Sequence, residues 1–529
     1  MDGVPQLNVV VMGGEDAGKS TLVGHLMVKT ESADNGPSLQ SDRVLKGEKD
    51  LSDTASQHTQ FALLLYRRKL ERQQGRTLCP SVRHLRSHRF NITLTDTPGH
   101  RQGVRCLGRA IAGQDAALLV VDASQGLAGL RLSLDAGQGL LWEHMLAAVG
   151  LGVRQFVVAL NKMDAVGHDE KQFRQQEAEV RKALRRAGLA EKAAAAVPVV
   201  PVAGGPGDNL ADHSGHMTWY EKLQGPTLLQ ALDQCRSSQQ AAQQPVPLAT
   251  KLLMPVQEVM MVSGIGPVCV GRVEAGSVSP GQEVVLLPRG IKAQVKSVEQ
   301  QCHVVEEAQR GACVGVALRG LTRKQLCAGW VICDAQKVPH LAVRFTARIM
   351  VRRGDLFGKH WLDGRMAHGN DGNGEAADAD SSSVAGMRAS PDKGYCPVLD
   401  MHAGRVQCRL VQVLALLDKQ TGKPMPGPPP SVLHKGDAAE VEFAPLWPAF
   451  VMTRAESAAM GVFLIREKQY VVGYGGVTSI TKTTPCPVGG TRQGGILAGI
   501  SSSRAERKQH VANARRRARD AAITELQSL

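Results

Sequence analysis

Residues 13–20 read GGEDAGKS, and this glycine-rich loop decides the fold of the N-terminal part of the chain. It follows an apolar run at residues 7–12 and opens a segment that we predict to be helical from about Lys19 to Met27. In this setting the glycines let backbone N–H groups turn inward around phosphate oxygens, and the helix N-terminus adds partial positive charge. We therefore predict that the loop binds the phosphates of a nucleotide.

Four side chains of this loop carry charge or a metal-binding oxygen. Lys19 is expected to reach the β- and γ-phosphates, and Ser20 offers its hydroxyl to Mg²⁺. Glu15 and Asp16 are adjacent acids in a loop that has to hold a polyanion. Their presence raises the question of whether the site works in the usual way.

Residues 96–100 read DTPGH and follow the next predicted strand, residues 92–95. Asp96 can hold Mg²⁺ through water, and Gly99 lets its backbone N–H come close to the γ-phosphate. His100 is placed to orient an attacking water, although a lone histidine after a turn is usually an ordinary surface residue. The residues predicted to bind phosphate are Gly13, Asp16, Ala17, Gly18, Lys19, Ser20, Thr21 and Gly99.

Residues 161–164 read NKMD and follow the apolar run at residues 156–160. The Asp164 carboxylate can accept two hydrogen bonds from guanine N1–H and N2–H₂, a pair of donors that adenine lacks, so it selects guanine. Asn161 would brace the base and the loop, and the aliphatic stem of Lys162 would lie along the purine face. The tetrapeptide alone is a weak signal, but three motifs in this order form a specific one.

Apolar runs alternate with helix-length segments over the first 205 residues. This pattern predicts an α/β domain with a doubly wound, mainly parallel sheet, in which ligands bind at the carboxyl ends of the strands. The predicted strands cover residues 7–12, 92–95, 116–121, 156–160 and 199–202.

The pattern of apolar runs and turns in the sequence changes after residue 238. We predict a GTP-binding domain at residues 1–238, a linker at 239–247, and two β-rich domains. The first β-rich domain, residues 248–336, has the short runs and turns of a small β-barrel or sandwich. The second covers residues 337–485 with an insertion at 355–392, and a basic tail follows at 486–529; both the insertion and the tail are predicted to be disordered.

Composition bounds the class of protein. The chain has 529 residues, 43% of them hydrophobic and 21% charged, as in ordinary soluble multidomain proteins. A formal net charge of +14 is compatible either with a polyanionic partner such as RNA or with a solvated surface and a basic tail. The 11 cysteines form no Cys-x-x-Cys pair, which favours a reducing compartment, and no apolar run predicts a membrane span.

Further stretches accompany the three motifs, and together they carry a family resemblance. Within the first domain they are residues 8–26, 71–77, 96–100, 161–164, 199–204, 207–209, 219–220 and 225–233. Beyond it they are residues 264–276, 295–299, 394–402 and 435–439. The chain resembles the eukaryotic elongation factor 1-alpha family of translational GTPases over roughly residues 5–480.

The resemblance implies a P-loop GTPase domain followed by two β-barrels. It also implies GTP-dependent, ribosome-stimulated delivery of aminoacyl-tRNA to the ribosomal A site in the cytoplasm, with an exchange factor that replaces GDP by GTP. Thr77 would be the switch threonine that reaches Mg²⁺, so the implied metal site is Ser20, Thr77 and Asp96, and the implied catalytic residues are His100 and Thr77. Guanine would be contacted by Asn161, Lys162, Asp164, Ala203 and Gly204.

Two departures from the family pattern fall beside the nucleotide. The family usually has His-Val at residues 14–15 and Gly-Ile-Thr at residues 75–77, where the Val and Ile flank the catalytic histidine. Here both apolar residues have become charged, with opposite signs. We hypothesise that Glu15 and Arg76 form an ion pair, the gate pair, in place of the apolar one, because unpaired charges near a closed site are costly. The alternative is independent drift on solvated loops.

Other departures leave two functions open. Pro80 stands where the family continues as a strand, residues 137–144 are two residues longer than the family stretch, and the family usually has Ser at Ala203. The retained motifs favour an active elongation factor. The altered switch favours a divergent paralogue that binds GTP and RNA or a protein, hydrolyses slowly, and regulates translation or rescues ribosomes.

Overall fold

The computed structural model describes residues 4–34, 61–66, 69–135, 139–237, 252–301, 303–353, 395–419, 421–430, 432–467 and 470–488. The predicted linker at 239–247, the predicted insertion at 355–392 and residues 489–529 of the basic tail lie outside the described residues.

The first domain is built on a six-stranded sheet in the order β2-β3-β1-β4-β5-β6. The strands are β1 Gln6–Gly13, β2 Ser81–Arg86, β3 Asn91–Asp96, β4 Ala116–Asp122, β5 Gln155–Asn161 and β6 Val199–Pro201. All pairings are parallel except β2–β3. The five predicted strands are confirmed. The antiparallel edge strand β2 begins directly after Pro80, so this proline precedes the strand and removes no hydrogen bond from inside it.

Helices connect these strands. They are α1 Lys19–Asp34, α2 Lys69–Gln74, α3 Val104–Ile111, α4 Gly126–Ser133, α5 Leu140–Gly150, α6 Glu170–Ala187, α7 Glu191–Ala196, α8 Thr218–Lys222 and α9 Leu228–Asp233. Helix α1 runs seven residues beyond the predicted end at Met27. Strand succession reverses at β1, which has β3 on one side and β4 on the other. Its carboxyl end is thus the switch point where such sheets bind ligands.

Strand pairing in the second domain, which is the first of the two predicted β-rich domains, resolves the choice between barrel and sandwich. Its strands are β7 Leu252–Val262, β8 Gly266–Arg272, β9 Ala275–Val278, β10 Glu283–Leu287, β11 Ile291–Gln300, β12 His303–Val305, β13 Ala308–Gln309, β14 Cys313–Leu318 and β15 Val331–Asp334. Strand β7 pairs with both β15 and β8, so the ring β7-β15-β10-β11-β14-β8 closes on itself. The region is a barrel.

The third region is a closed barrel in the order β16-β19-β18-β17-β20-β21. Its strands are β16 Leu341–Val351, β17 Val398–Met401, β18 Gly404–Leu417, β19 Ala438–Pro445, β20 Val462–Glu467 and β21 Tyr470–Thr484. Phe345, Phe443 and Phe463 fill its interior, with ring centroids 5.8–6.4 Å apart. Offset and edge-to-face aromatic contacts of this kind add to the gain from burial.

The third region packs directly on helix α5 of the first domain. Leu464 and Val471 are fully buried and belong to the hydrophobic core of the first domain. The Glu143 carboxylate accepts hydrogen bonds from Arg353 Nη1 (2.6 Å) and from the backbone N–H of Val471 (2.9 Å). Gly150 lies so close to the barrel that an added Cβ would sit 2.6 Å from the Leu464 side chain. The two units therefore share one continuous core.

Two findings bear on the composition-based expectations. Among the described residues, no helix is both long and apolar enough to cross a bilayer. The buried cysteines Cys235, Cys269, Cys333 and Cys408 are free thiols.

Candidate nucleotide site

The carboxyl end of β1 opens into a cleft shared by the loop at residues 13–20, the segment around Thr77, and the start of the loop after β3. Its lining residues include Glu15, Asp16, Gly18, Lys19, Ser20, Thr21, Arg76, Thr77, Gly99, His100 and Lys162. Three sequence motifs separated by up to 140 residues therefore meet at one place.

Lys19 is the buried cation of the cleft. Its Nζ donates to the carbonyl oxygens of Gly14 (2.6 Å) and Gly13 (3.2 Å). Burial lowers the pKa of its ammonium group, and the nearby carboxylates of Asp96, Asp16 and Glu15 act in the opposite direction. The loop carbonyls hold this amine at the point where phosphate oxygens would take their place.

Ser20, Thr77 and Asp96 bring three oxygens together. Ser20 Oγ donates to Asp96 Oδ2 at 2.8 Å, Thr77 Oγ1 lies 2.8 Å from Ser20 Oγ, and Thr77 Oγ1 donates to the same carboxylate oxygen at 3.3 Å. Burial raises the pKa of the Asp96 carboxyl, while Lys19 and the two hydroxyls oppose that rise. Within the described part of the chain, Asp96 Oδ1 is buried without a hydrogen-bond partner. This hard oxygen set fits Mg²⁺.

Glycines make the close approaches in the cleft possible. A Cβ on Gly99 would collide with Lys19 Nζ and lie 2.6 Å from Gly14 O. Gly18 has a φ of +83°, and a Cβ there would collide with Asn161 Nδ2. Neither position admits a larger side chain without displacing the residues that line the site.

His100 and the gate pair stand at the mouth of the cleft. Arg76 Nη1 lies 3.8 Å from Glu15 Oε1, and the two side chains are 49% and 54% exposed. Arg76 Nε also donates to Gln74 Oε1 at 3.2 Å. Burial lowers the pKa of the His100 imidazole, the positive charge of Arg76 lowers it further, and Glu15 raises it. His100 is thus held neutral, so its unprotonated ring nitrogen can accept a hydrogen bond or a proton from a water O–H.

The loops after β5 and β6 meet through Asn161. Its Nδ2 donates to Ala17 O and its Oδ1 accepts from the Gly204 N–H, both at 2.8 Å. Ala203 and Gly204 are buried, and Asp164 is exposed at the rim. One buried amide thus connects the phosphate loop to both loops predicted to contact guanine.

Three residues of the site were missed by sequence reasoning. Glu71 accepts from the N–H groups of Leu78 (2.9 Å) and Cys79 (3.2 Å), which holds the segment next to Thr77. Asp122 Oδ2 lies 2.8 Å from Lys162 Nζ. His144 Nδ1 accepts from the Gly13 N–H at 3.1 Å, and burial lowers its pKa to about 3. No local spacing signals these contacts, although Glu71 lies in a stretch that resembles the family.

Known proteins match the chain along most of its length. The family model described as the elongation factor Tu GTP binding domain matches residues 4–238, elongation factor Tu domain 2 matches 266–333, and the GTP-eEF1A C-terminal domain-like model matches 384–478. Elongation factor 1-alpha of Entamoeba histolytica is 31% identical over 90% of this chain and 96% of its own length.

The chain belongs to the elongation factor 1-alpha family. Within this family, the protein of Saccharolobus solfataricus is 32% identical to it, over 91% of this chain and 98% of its own length. The protein of Saccharomyces cerevisiae is 31% identical to it, over 90% of this chain and 95% of its own length. The predicted resemblance is confirmed, and the chain is a translational GTPase of this family with the GTP-binding domain that the family carries.

Solved structures of translational GTPases share the fold. The Saccharomyces cerevisiae Ski7 GTPase-like domain, bound to GDP and inorganic phosphate, aligns with a TM-score of 0.65 and 16% identity, over 90% of this chain and 97% of that one. Elongation factor SelB of Methanococcus maripaludis, in complex with a GTP analogue, aligns with a TM-score of 0.56 and 17% identity, over 92% of this chain and 81% of that one. At these identities the matches support the predicted architecture of a P-loop GTPase domain and two barrels.

Proposed function

We propose that this protein hydrolyses GTP on the ribosome as it delivers aminoacyl-tRNA to the A site. One observation carries the proposal: the Thr77 hydroxyl lies against Ser20 and Asp96, beside Lys19 and within the same cleft as His100. The residues that we assign to the γ-phosphate, the metal ion and the attacking water therefore lie close together. Supporting it, curated relatives that cover nearly the whole chain are named elongation factor 1-alpha.

The phosphate side of the site has a division of labour. Backbone N–H groups of residues 13–20 and the start of α1 would bind the phosphates, and Lys19 would exchange its carbonyl partners for phosphate oxygens. Ser20, Thr77 and Asp96 would hold Mg²⁺, which neutralises charge on the phosphates when bound. His100 would orient the attacking water with its neutral imidazole.

The base side would read guanine. Asp164, exposed at the rim, would accept from guanine N1–H and N2–H₂, and the stem of Lys162 would cover the purine face. The backbone around Ala203 and Gly204 would contact O6, so replacement of the usual serine by Ala203 has a mild effect. The two hydrogen bonds of the Asn161 side chain hold these loops against the phosphate loop.

The gate pair supports a second candidate, a slowly hydrolysing paralogue with a regulatory or ribosome-rescue role. In the family, apolar residues stand at these two positions, whereas here Glu15 and Arg76 lie 3.8 Å apart within the cleft of His100. A charged, half-exposed pair would draw water into this cleft, and water weakens electrostatic stabilisation of a transition state. Nucleotide binding would be retained in this case.

We also propose the boundaries 1–238, 248–336 and 337–485 for the three domains, and a cytoplasmic location together with the ribosome. An exchange factor is a further proposed partner, as the resemblance to the family implies.

The deciding experiment measures single-turnover GTP hydrolysis with and without programmed ribosomes and aminoacyl-tRNA. An elongation factor shows stimulation by both, and His100→Ala lowers the stimulated rate by about 10²–10⁴-fold. His303→Ala, an exposed histidine of the second domain, is the matched control and retains the rate. Tight GTP binding without stimulation by either addition contradicts delivery and supports the second candidate.

A further inference from the structure

Two histidines and an aspartate meet on the base side of the first domain, outside the phosphate cleft. His168 Nε2 lies 3.4 Å from Asp208 Oδ2, and His216 Nδ1 lies 3.5 Å from Asp208 Oδ1. One ligand atom from each of the three residues lies within 4.8 Å of the others. The two imidazole rings stack with centroids 5.1 Å apart.

Local backbone structure fixes the three positions. His168 ends the turn after β5 in the left-handed region (φ +57°), and its N–H donates to Met163 O at 2.8 Å. Asp208 follows β6, where its backbone pairs with Ala203. His216 stands in a 3-10 turn, Gly215–Met217, that is capped by Ser214. Three separate loops thus converge through ordered backbone.

The facing atoms of His168 and Asp208 lack hydrogen-bond partners. Within the described residues, His168 Nε2 and Asp208 Oδ2 are buried and make no hydrogen bond, although they face each other. Leaving a buried polar group unsatisfied is costly, because the group loses its hydrogen bonds to water without replacement. A cation between them would satisfy both atoms at once. The other carboxylate oxygen, Asp208 Oδ1, already accepts from Ser214 Oγ at 2.8 Å, which orients the group as an outer-shell partner does.

We propose that His168, Asp208 and His216 bind a Zn²⁺-class divalent transition-metal ion. Such ions bind imidazole nitrogens, which are borderline-soft donors, together with carboxylate oxygens, which are hard donors. A tetrahedral ion with ligands at about 2.0–2.1 Å spaces its ligand atoms about 3.3 Å apart. The 3.4 Å between His168 Nε2 and Asp208 Oδ2 matches that edge, and one ligand atom of each of the three residues lies within 4.8 Å of the others. His216 is 70% exposed, so a water can complete the coordination from solvent.

The ion would tie together the two loops that flank the guanine site. His168 follows Asp164 by four residues, and Asp208 follows Gly204 by four residues. The Trp219 indole N–H, which donates to His168 O at 2.9 Å, fastens the first loop to helix α8. The inference concerns metal binding alone, so it stands whether or not the proposed GTP hydrolysis is correct.

The test uses the full chain, passed over a chelating resin and returned to buffer with Mg²⁺ and GDP. Zn²⁺ binding is measured by calorimetry, and Co²⁺ is titrated to record the visible absorption of a tetrahedral N/O site. Because Asp208 is partly buried, the main variant is the exposed His216→Ala, with Asp208→Asn as the second. His213→Ala, an exposed histidine three residues away on the same loop, is the matched control.

We expect wild type and His213→Ala to bind Zn²⁺ with equal affinity. Each should bind one more equivalent of Zn²⁺ than either of the two site variants. His216→Ala and Asp208→Asn weaken this equivalent by more than about tenfold and remove the tetrahedral Co²⁺ bands. Circular dichroism of all variants confirms that they fold. Equal stoichiometry and affinity in wild type and both site variants would overturn the proposal, as would the absence of Zn²⁺ binding at micromolar concentration.

Discussion

The Glu15 carboxylate lies 3.8 Å from the Arg76 guanidinium, and both side chains line the cleft of His100. Because each side chain is about half exposed, water screens the attraction, and such pairs contribute only about 0.2–1 kcal/mol to stability. Both charges also act on His100: burial lowers the pKa of its imidazole, Arg76 lowers it further, and Glu15 raises it. The pair therefore connects the loop at residues 13–20 with the electrostatics of a neighbouring imidazole.

If the gate pair acts as a unit, its two members should not behave independently. We expect Glu15→Val, Arg76→Ile and the double variant to form a non-additive cycle in the logarithm of the ribosome-stimulated hydrolysis rate. The double variant, which has the apolar residues usual in the family, should hydrolyse faster than either single variant, since each of those leaves one unpaired charge. Additive logarithms within error would mean that the two charges act independently.

The pH profile of hydrolysis should report the charges around His100. Burial and Arg76 place the pKa of its imidazole below the ordinary value of 6.5, so the imidazole stays neutral at pH 7 and activity falls only at lower pH. Arg76→Ile removes a charge that lowers this pKa, and the acidic limb should shift to higher pH. Glu15→Val should shift it to lower pH. Shifts of the same sign in both variants would contradict this assignment.

Guanine selection by Asp164 can be tested by exchanging its acceptor for a donor. Asp164→Asn presents an amide N–H₂ to guanine N2–H₂, and we expect fluorescent GDP to bind at least about 10²-fold more weakly. Xanthosine diphosphate, which has a carbonyl in place of that amino group, should bind this variant better than it binds wild type. Asp212→Asn, an exposed aspartate on a neighbouring loop, serves as the control and should leave both affinities unchanged.

Buried His144 should make stability depend on pH. Its pKa of about 3 lies below the ordinary 6.5, so the unfolded chain binds this proton first as the pH falls. Stability is thus complete above pH 6.5 and declines toward pH 3, by up to about 1.4 kcal/mol per pH unit. His144→Gln keeps an acceptor for the Gly13 N–H but does not titrate. The midpoint of urea unfolding, measured from pH 5 to 7, should depend less on pH in this variant than in wild type. Some pH dependence should remain because buried His402 has a pKa of about 4.

Removing one partner of the buried pair of Glu143 and Arg353 should cost far more stability than removing one partner of a surface ion pair. Glu143 is 4% exposed, and Glu143→Ala leaves the Arg353 guanidinium and the Val471 N–H without this acceptor. We expect a loss of about 3–5 kcal/mol in the free energy of unfolding. Arg131→Ala removes a 2.9 Å pair whose arginine is 61% exposed, and it should cost less than about 1 kcal/mol. Equal losses would show that burial does not decide the strength of these pairs.

The sequence predicted those parts of the fold that local patterns encode. Strands β4 and β5 are continuous apolar runs because both faces of each strand are covered. Strand β2 was missed because its side chains are mostly polar and half-buried, without a period of two. The choice between barrel and sandwich stayed open from the residues alone because closure depends on which strands pair.

The residues of the site divide in the same way, into those that lie in local motifs and those that only folding brings together. Gly99 and Asn161 sit in motifs whose spacing is local, and the structure brings these motifs together. His144 reaches Gly13 across 131 residues, and Asp122 reaches Lys162 across 40, so only the folded chain reveals them. The cluster of His168, Asp208 and His216 lies outside the three motifs, and no spacing pattern announced it.

The shared core of the first and third domains has a consequence for biosynthesis. Helix α5 buries its surface against Leu464 and Val471, which are synthesised about 300 residues later. At about 5–20 residues per second, that surface remains uncovered on the nascent chain for roughly 15–60 seconds. During this interval the newly made GTP-binding domain presents an uncovered apolar face, and such surface is prone to aggregation until the C-terminal barrel arrives.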